Sequence, residues 1–376
     1  MAGIYIHIPF CKQACHYCDF HFSTSLHNKN DIVKSLKAEI VLQKNYLGDQ
    51  SIETIYFGGG TPSLLQASEI HYLLNHIQAN FNVAQHAEIT LEANPDDLHP
   101  QKVKELKQTT INRFSIGIQS FYEEDLRWMN RAHTAHEAES AVKRVQDAGF
   151  ENITIDLIYG YPLLTDEKWE SNLQCLTNFD IPHLSSYAMT VEPQTALASF
   201  IRKGKQKAMD ETQSAKQFIK LIKHLEQEGY DHYEISNFAK PGSYSKHNAN
   251  YWAGVPYLGI GPSAHSFNGQ TRQWNCANNA RYLAEIAAGK IPAEIEVLTI
   301  ANKINEYIMT SLRTKTGMDM RKINETFGEE YSVVIKKGLD KFLAQGWLDI
   351  NEHLVALTHE GKLFADHIAS ELFIEA

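Results

Sequence analysis

The chain has 376 residues, of which 43% are hydrophobic and 21% are charged. This composition is ordinary for a soluble globular protein, and the length predicts one large domain with a smaller one beside it. The formal net charge of −10 argues against a nucleic-acid partner, and no apolar run is long enough to predict a membrane span.

From Ile4 onward, apolar strand-like segments alternate with helix-like segments. The predicted strands are 4–9, 54–58, 88–93, 113–119, 152–160 and 183–191. The predicted helices between them are 31–46, 66–79, 99–108, 122–128, 136–148 and 165–177. Such alternation favours parallel strands joined by crossover helices. Because six units are fewer than the eight of a closed barrel, we predict an α/β fold built as a partial (β/α)6 barrel, with a doubly wound sheet as the alternative.

The rest of the chain predicts two further parts. We place the barrel at 1–235, a connecting segment at 236–295 with a helix near 280–288, and a C-terminal accessory domain at 296–376. The accessory domain is predicted to contain helices near 302–314, 319–327 and 330–345, short strands in LDIN and LVAL, and a helix from about 358. Helices followed by a small hairpin resemble a winged-helix unit. Winged helices can bind DNA, but the basic residues of this unit are sparse.

Three thiols lie close together in the stretch IPFCKQACHYCDF, at Cys11, Cys15 and Cys18. A closed zinc site or a cluster held only by protein needs four ligands, and Phe20 stands where a fourth cysteine fits most easily. Clustered thiols without a signal-peptide pattern fit a reducing cytosol, where they bind metal rather than form disulfides. The alternatives are a partial zinc site, or a remote fourth ligand from Cys175 or Cys276.

Polar residues follow the predicted strands at their carboxyl ends, which is where such folds build their sites. FGGGTP follows the second strand, Glu92 and Gln119 close the third and fourth, and Asp156 lies in the otherwise apolar fifth. Each has a simpler interpretation: the glycines make a turn, and the polar side chains find partners within the core. Together they predict one site at this rim.

The C-x3-C-x2-C spacing after the first strand resembles the signature of the radical S-adenosylmethionine (SAM) family. The resemblance implies that Cys11, Cys15 and Cys18 hold three irons of a [4Fe–4S] cluster, with SAM chelating the fourth. It also implies that the polar rim binds SAM. The residues assigned to SAM in this way are Tyr5, Gly59, Gly60, Thr61, Glu92, Gln119, Arg131 and Asp156.

Further segments resemble one branch of this family. YIHIPFC, YFGGGTPS, SIGIQSF, NRAHT and DLIYGYP resemble the branch that contains oxygen-independent coproporphyrinogen III oxidase and the HemW-type haem chaperones. Three features favour the chaperones: Phe20 replaces the oxidase's fourth cysteine, only ten residues precede Cys11, and KHNANYWAG resembles the HemW H-N-x-x-Y-W signature. That signature assigns His247, Asn248, Tyr251 and Trp252 to haem, and His265 is a further candidate ligand.

Two functions therefore stay open. The first is a carrier that holds haem as cargo and passes it to haem-dependent proteins, among them respiratory, membrane-bound ones. Its resident cofactors are the [4Fe–4S] cluster and SAM, and the predicted location is the cytoplasm, with surface docking at the inner face of the membrane and a homodimer left open. The second is the oxidase, a radical SAM enzyme that decarboxylates coproporphyrinogen III. The aromatic residues of the signature offer wide faces to a flat ligand, and histidine is a common axial ligand of haem iron.

Overall fold

Six parallel strands form the centre of the main sheet in this computed structural model, which describes residues 1–375. They are β1 (Ala2–Ile8), β2 (Ile52–Gly59), β3 (Val83–Ala93), β4 (Arg113–Gln119), β5 (Ile153–Tyr159) and β6 (His183–Ala188). Their spatial order follows the chain order from β1 to β6. A doubly wound sheet reverses its strand order at a switch point, so the sequential order confirms the partial barrel and excludes the alternative.

The helices between these strands cover the outer face of the sheet. They are α1 (Lys29–Leu42), α2 (Ala67–Asn80), α3 (Pro100–Leu106), α4 (Glu123–Trp128), α5 (Ala135–Asp147) and α6 (Asp166–Asn178). Local sequence explains where they begin. At α5, Thr134 Oγ1 accepts from Glu137 N at 3.2 Å, and the Glu137 carboxylate accepts from Thr134 N at 2.8 Å. This capping box satisfies two backbone donors that the first turn leaves unpaired.

The segment after β6 adds strands to both edges of the sheet. Its elements are α7 (Ala196–Arg202), α8 (Glu211–Gln227), β7 (Asp231–Glu234), β8 (Asn237–Ala239), α9 (Lys246–Trp252), β9 (Tyr257–Ile260), β10 (His265–Phe267), β11 (Thr271–Asn275), α10 (Asn279–Ala287) and β12 (Ala293–Val297). Strand β8 pairs antiparallel with β6, and β9 pairs parallel with β1. Within the described residues the sheet thus has 12 strands, and the segment that contains α9 connects β8 beside one edge to β9 beside β1. The predicted boundaries at 235 and 295 stay predictions.

A buried carboxylate joins the added strands to the barrel. Glu39 of α1 is 0% exposed. It accepts hydrogen bonds from Tyr282 Oη at 2.6 Å, Asn275 Nδ2 at 2.6 Å and Gly261 N at 2.8 Å. Burial raises the pKa of Glu39, and these donors act against that rise. A buried charge is tolerated only when its hydrogen bonds are satisfied, so this network ties the region from β9 to α10 to α1.

The C-terminal unit has its own hydrophobic core. Its elements are α11 (Ile300–Leu312), β13 (Met318–Asp319), α12 (Met320–Phe327), α13 (Glu329–Ala344), β14 (Leu348–Asn351), β15 (Leu354–Leu357), α14 (His359–Lys362) and α15 (Ala365–Glu371). Three strands form a small sheet in the order β13-β15-β14, which confirms the winged-helix-like prediction.

This unit contacts the barrel at both edges of the large sheet. Ile235, next to β7, donates its N–H to Arg313 O at 3.0 Å. On the opposite edge, Arg272 of β11 forms an ion pair with Glu306 of α11 at 2.6 Å. Helix α11 therefore extends between the two edges. None of the helices in residues 1–375 is long and apolar enough to cross a membrane.

Candidate functional site

The three clustered cysteines lie on a loop between β1 and α1, which we call the cysteine loop (residues 9–23). The loop is closed at its base, where Ser23 N donates to Pro9 O at 2.9 Å. At its far side, Asn130 Nδ2 donates to Ala14 O at 2.7 Å. A backbone hydrogen bond at the base and a side-chain hydrogen bond in the middle of the loop fix the path of the chain, so the positions of the thiols are set by the barrel as well as by the loop.

Two of the thiols receive hydrogen bonds from residues of the barrel rim. Thr61 Oγ1 donates to Cys11 Sγ at 3.4 Å, and Arg131 Nη1 donates to Cys15 Sγ at 3.4 Å. Burial raises the pKa of the Cys11 thiol, and it raises that of Cys18 to about 12. Thiolates are the metal-binding form, so a positive iron centre together with these donors would offset the cost of burying charge.

The two cysteines outside the loop, Cys175 and Cys276, and the loop residue Phe20 are not part of the three-thiol arrangement. Phe20 is 70% exposed and leaves its side of the loop without a fourth sulfur ligand. Cys175 lies in α6 and packs against the core, while the contact of Cys276 Sγ is with Asn278 O at 3.8 Å. Among residues 1–375, no group of three or more His, Cys, Asp or Glu side chains is arranged to hold a single metal ion.

The glycine turn after β2 packs directly against the start of the cysteine loop. A Cβ on Gly60 would lie 2.5 Å from Phe10 O and 3.0 Å from Ile8 O. Gly59 has a φ of 112°, and a Cβ there would lie 2.7 Å from Nδ1 of His7. Glycine is therefore required at both positions by the neighbouring chain. The close approach brings Thr61, the next residue, within reach of Cys11.

Two carboxylates inside the barrel lie near enough for the charge of one to act on the other. Glu92 accepts from Tyr56 Oη at 2.9 Å, and Asp156 accepts from Ser115 Oγ at 3.2 Å. Burial raises the pKa of Glu92 to about 8 and that of Asp156 to about 6, although each residue as a whole is half-buried. The negative charge of Asp156 contributes to the raised pKa of Glu92. A pair of this kind attracts a cation or a hydroxyl-rich ligand.

Arg131 lies deep in the rim between the cysteine loop and β4. Its Nη2 donates to Asn94 Oδ1 at 2.7 Å and to Gly117 O at 2.8 Å. Its Nε is buried and has no acceptor among the described residues, as expected where a ligand completes the site. Nearby, Gln119 has a φ of 67°. Such a conformation costs about 1–3 kcal/mol and is typical of functional sites.

The motif HNANYW forms α9, near the amino ends of β2 and β3. His247 Nδ1 hydrogen-bonds Thr54 Oγ1 at 2.9 Å. Its ring stacks on Tyr56 with centroids 5.0 Å apart and on Tyr5 at 6.4 Å. Glu88 accepts backbone N–H bonds from the first turn of α9 at 3.1 Å. Burial lowers the pKa of His247 to about 4, so the ring is neutral and fixed against the barrel interior.

The other residues of the motif have different surroundings. Asn248 N donates to Ser245 Oγ at 3.4 Å as part of the helix cap. Tyr251 is 40% exposed, and Trp252 is half-buried beside it. The structure thus turns His247 into the barrel while Tyr251 faces outward.

Several of the residues assigned to SAM lie close to one another. A Cβ on Gly117 would lie 3.0 Å from Gln119 Nε2 and 3.2 Å from Arg131 Nη2, and one on Gly58 would lie 2.8 Å from the Tyr5 ring and 3.1 Å from Glu92 Oε1. Three residues of the site were not predicted from the sequence: Asn94, Tyr56 and Glu88, which hold Arg131, Glu92 and α9 respectively. Asn94 could have been predicted as a site residue, because it directly follows the third strand. These residues fit a cluster held by three thiolates with SAM beside it. Hydrogen-bond donors to sulfur, two closely packed glycines and an arginine whose Nε is unpaired within the described residues all lie at this rim.

We expect Glu92→Gln to reduce the pH dependence of the metal-free protein's stability. The folded-state pKa of Glu92 lies above its value in the unfolded chain. Its stabilising contribution is therefore complete below the unfolded pKa and is lost as the pH rises through about 8. Glutamine keeps the shape but does not titrate. Asp156 is present in both proteins, so the difference between them isolates Glu92.

The measurement is the free energy of urea unfolding, taken anaerobically between about pH 5 and pH 9. The wild-type protein should lose more stability over this range than Glu92→Gln. Equal losses in the two proteins would contradict the assigned environment of Glu92.

Comparison with known proteins agrees with this geometry. Residues 5–176 match the model of the radical SAM superfamily, and residues 298–364 match that of the HemN C-terminal domain. The solved structure of Escherichia coli coproporphyrinogen III oxidase (HemN), a radical SAM enzyme, superposes with a TM-score of 0.85. That likeness covers 99% of this chain and 90% of the other at 23% identity, so it establishes the fold.

Curated relatives match from end to end. The heme chaperone HemW of Bacillus subtilis is 32% identical over 371 residues, covering 98% of each chain. HemW of Mycobacterium tuberculosis is 32% identical over 375 residues, covering 98% of this chain and 94% of that protein. HemW of Escherichia coli is 32% identical over 383 residues, covering 99% and 98%. With its radical SAM fold, the chain belongs to the HemW family.

Proposed function

We propose that this protein binds haem and delivers it to haem-dependent proteins. The observation that carries the proposal is the end-to-end similarity to relatives named heme chaperone HemW. The HNANYW segment supports it, because a histidine and two aromatic side chains suit a flat iron-containing ligand. Phe20 also supports it, because the oxidase motif that the cysteine loop resembles has a cysteine at that position.

The same proposal assigns a [4Fe–4S] cluster and SAM to the barrel. Cys11, Cys15 and Cys18 would hold the cluster, which would supply the electron for any reductive cleavage of SAM. Thr61 and Arg131 stabilise the thiolates through hydrogen bonds to sulfur. The residues proposed to contact SAM are Tyr5, Gly59, Gly60, Thr61, Glu92, Gln119, Arg131 and Asp156.

The surroundings of His247 determine which of its ring nitrogens could bind iron. Nδ1 is engaged by Thr54, so Nε2 is the nitrogen that we propose as a ligand. A hydrogen bond to the opposite ring nitrogen fixes the tautomer that a metal-binding histidine needs. The alternative ligand, His265, is exposed and stacks on Trp274 with centroids 6.3 Å apart.

We further propose that the recipients include membrane-bound respiratory proteins. A cytoplasmic carrier would meet them by surface docking at the inner face of the membrane. A homodimer of the carrier is part of the same proposal, and size-exclusion chromatography with light scattering measures it directly.

The function is tested by anaerobic reconstitution of the cluster, followed by two assays on the same sample. Titration with hemin should give a saturable Soret shift at about one haem per chain. An assay for protoporphyrinogen formation from coproporphyrinogen III should give no turnover. Absence of a saturable shift would contradict the proposal, and robust turnover would favour the oxidase.

A further inference from the structure

Tyr56 of β2 lies between the carboxylate assigned to SAM and the histidine assigned to haem. Its hydroxyl donates to Glu92 Oε1 at 2.9 Å. Its ring stacks on the imidazole of His247, with the ring centroids 5.0 Å apart and the planes 28° from parallel. One side chain therefore contacts a residue of each proposed site.

The contact between Tyr56 and Glu92 is closely packed. A Cβ on Gly58 would lie 3.0 Å from the Tyr56 ring and 3.1 Å from Glu92 Oε1, so both groups pack against this glycine. Burial and the charge of Glu92 raise the pKa of Tyr56, and the hydroxyl therefore stays protonated and donates. A change in the charge or position of the Glu92 carboxylate acts directly on this hydrogen bond.

The imidazole of His247 is held by other residues as well. Thr54 Oγ1 engages its Nδ1 at 2.9 Å, and the Tyr5 ring stacks on it with centroids 6.4 Å apart. Stacking engages a face of the imidazole, whereas Nε2, the proposed iron ligand, lies at its edge. The orientation of the Tyr56 ring therefore helps to set the direction in which Nε2 points.

We propose that Tyr56 is a positioning residue through which the binding of SAM strengthens the binding of haem. The inference rests on the proposed function, because it requires both ligands in their proposed sites. SAM carries a sulfonium charge, and a cation beside Glu92 favours the ionised carboxylate. An ionised acceptor strengthens the hydrogen bond from Tyr56, which holds its ring and, through the stack, the imidazole of His247. A preorganised ligand loses less conformational freedom when haem binds.

The test measures the affinity for hemin with and without saturating SAM, on anaerobically reconstituted protein. No reductant is added, because the oxidised cluster has no electron with which to cleave SAM. Saturating SAM should tighten hemin binding by about fivefold, the lower end of the usual range for coupling between two sites. Hemin should in turn tighten SAM binding by the same factor, since such coupling is reciprocal, and isothermal titration calorimetry measures this second factor independently.

Tyr56→Phe tests whether the coupling passes through the hydroxyl. Phenylalanine keeps the ring that stacks on His247 but cannot donate to Glu92, so the ratio of hemin affinities with and without SAM should fall to about one. Because the ratio is taken within one protein, a change in the basal affinity of the variant cancels. Tyr72→Phe is the matched control. Tyr72 of α2 is 38% exposed and its ring lies 4.4 Å from that of His76, so this variant should keep the wild-type ratio.

The outcomes separate this inference from the proposed function. A wild-type protein that binds no hemin would contradict the proposed function and this inference with it. Hemin binding that is unaffected or weakened by SAM in the wild type would overturn the inference alone. A wild-type ratio in Tyr56→Phe would overturn it too, because the coupling would then follow another route, such as direct contact between the two ligands.

Discussion

Replacing Cys11 with alanine is expected to abolish the iron–sulfur cluster. The reconstituted wild-type protein should contain about four iron atoms and four sulfides per chain, and Cys11→Ala should retain less than about a quarter of that iron. The loop offers three sulfur ligands, and Phe20, which is 70% exposed, provides no replacement. Iron and sulfide analysis of anaerobically reconstituted samples measures the effect.

Matched controls come from the cysteines outside the loop. Cys175→Ala and Cys276→Ala should keep the full complement of iron and sulfide, because neither residue is assigned to the cluster. Full cluster occupancy in Cys11→Ala would contradict the assignment of the three thiols. Loss of the cluster in Cys276→Ala would instead identify a remote fourth ligand.

Gly60→Ala is expected to destabilise the protein and to lower cluster occupancy together. The added Cβ would lie 2.5 Å from Phe10 O, so the backbone next to Cys11 must shift. Overpacking of this kind costs about 1–3 kcal/mol. Urea unfolding of the metal-free protein measures the stability, and iron analysis after reconstitution measures the displacement of the cysteine loop.

Gly204→Ala is the control for a glycine variant that is destabilised without steric contact. Gly204 has a φ of 66° and no heavy atom within 4 Å of its built Cβ, so alanine there is strained but meets no neighbour. This variant should lose stability by about 1–2 kcal/mol and keep its iron. If Gly60→Ala matched the wild type in both measurements, the close packing of the turn against the cysteine loop would be wrong.

The barrel repeats were predictable because long buried strands and their helices carry a strong apolar pattern. Predicted strand 113–119 coincides with β4, and predicted strand 4–9 differs from β1 by two residues at the start and one at the end. Larger errors occurred where burial is incomplete. Strand β3 begins at Val83 rather than at residue 88, since its first four residues are partly or fully exposed. Exposed strand ends lack the apolar signal on which the prediction depends.

The added strands were not predictable from local pattern. Each of β7 to β12 has five residues or fewer, which is too short for a clear alternation of apolar and polar residues. The pairing of β9 with β1 joins segments about 250 residues apart, so only the folded chain reveals it. Helix α8 was not predicted. It could have been, because its buried residues have helical spacing: Phe218, Leu221, Ile222 and Leu225.

Some features of the candidate site could be predicted from the sequence, and others could not. Strand-end position was enough to predict that Glu92, Gln119 and Asp156 share a rim, because parallel strands end at one edge. The surroundings of the HNANYW motif were not predictable. Contacts of α9 with Thr54 and Glu88 depend on tertiary packing, and the sequence spacing of His247 and Tyr251 does not reveal that one faces inward and the other outward.

The delivery of haem is tested most directly by the rate at which the loaded protein gives up its cargo. Haem-loaded protein is mixed either with apomyoglobin, which scavenges released haem, or with inverted membrane vesicles from cells that cannot make haem. Docked delivery predicts transfer to the vesicles that is faster than release to apomyoglobin and that rises with vesicle concentration. A single rate in both mixtures, independent of the acceptor, would mean that the protein merely releases haem and would contradict the account.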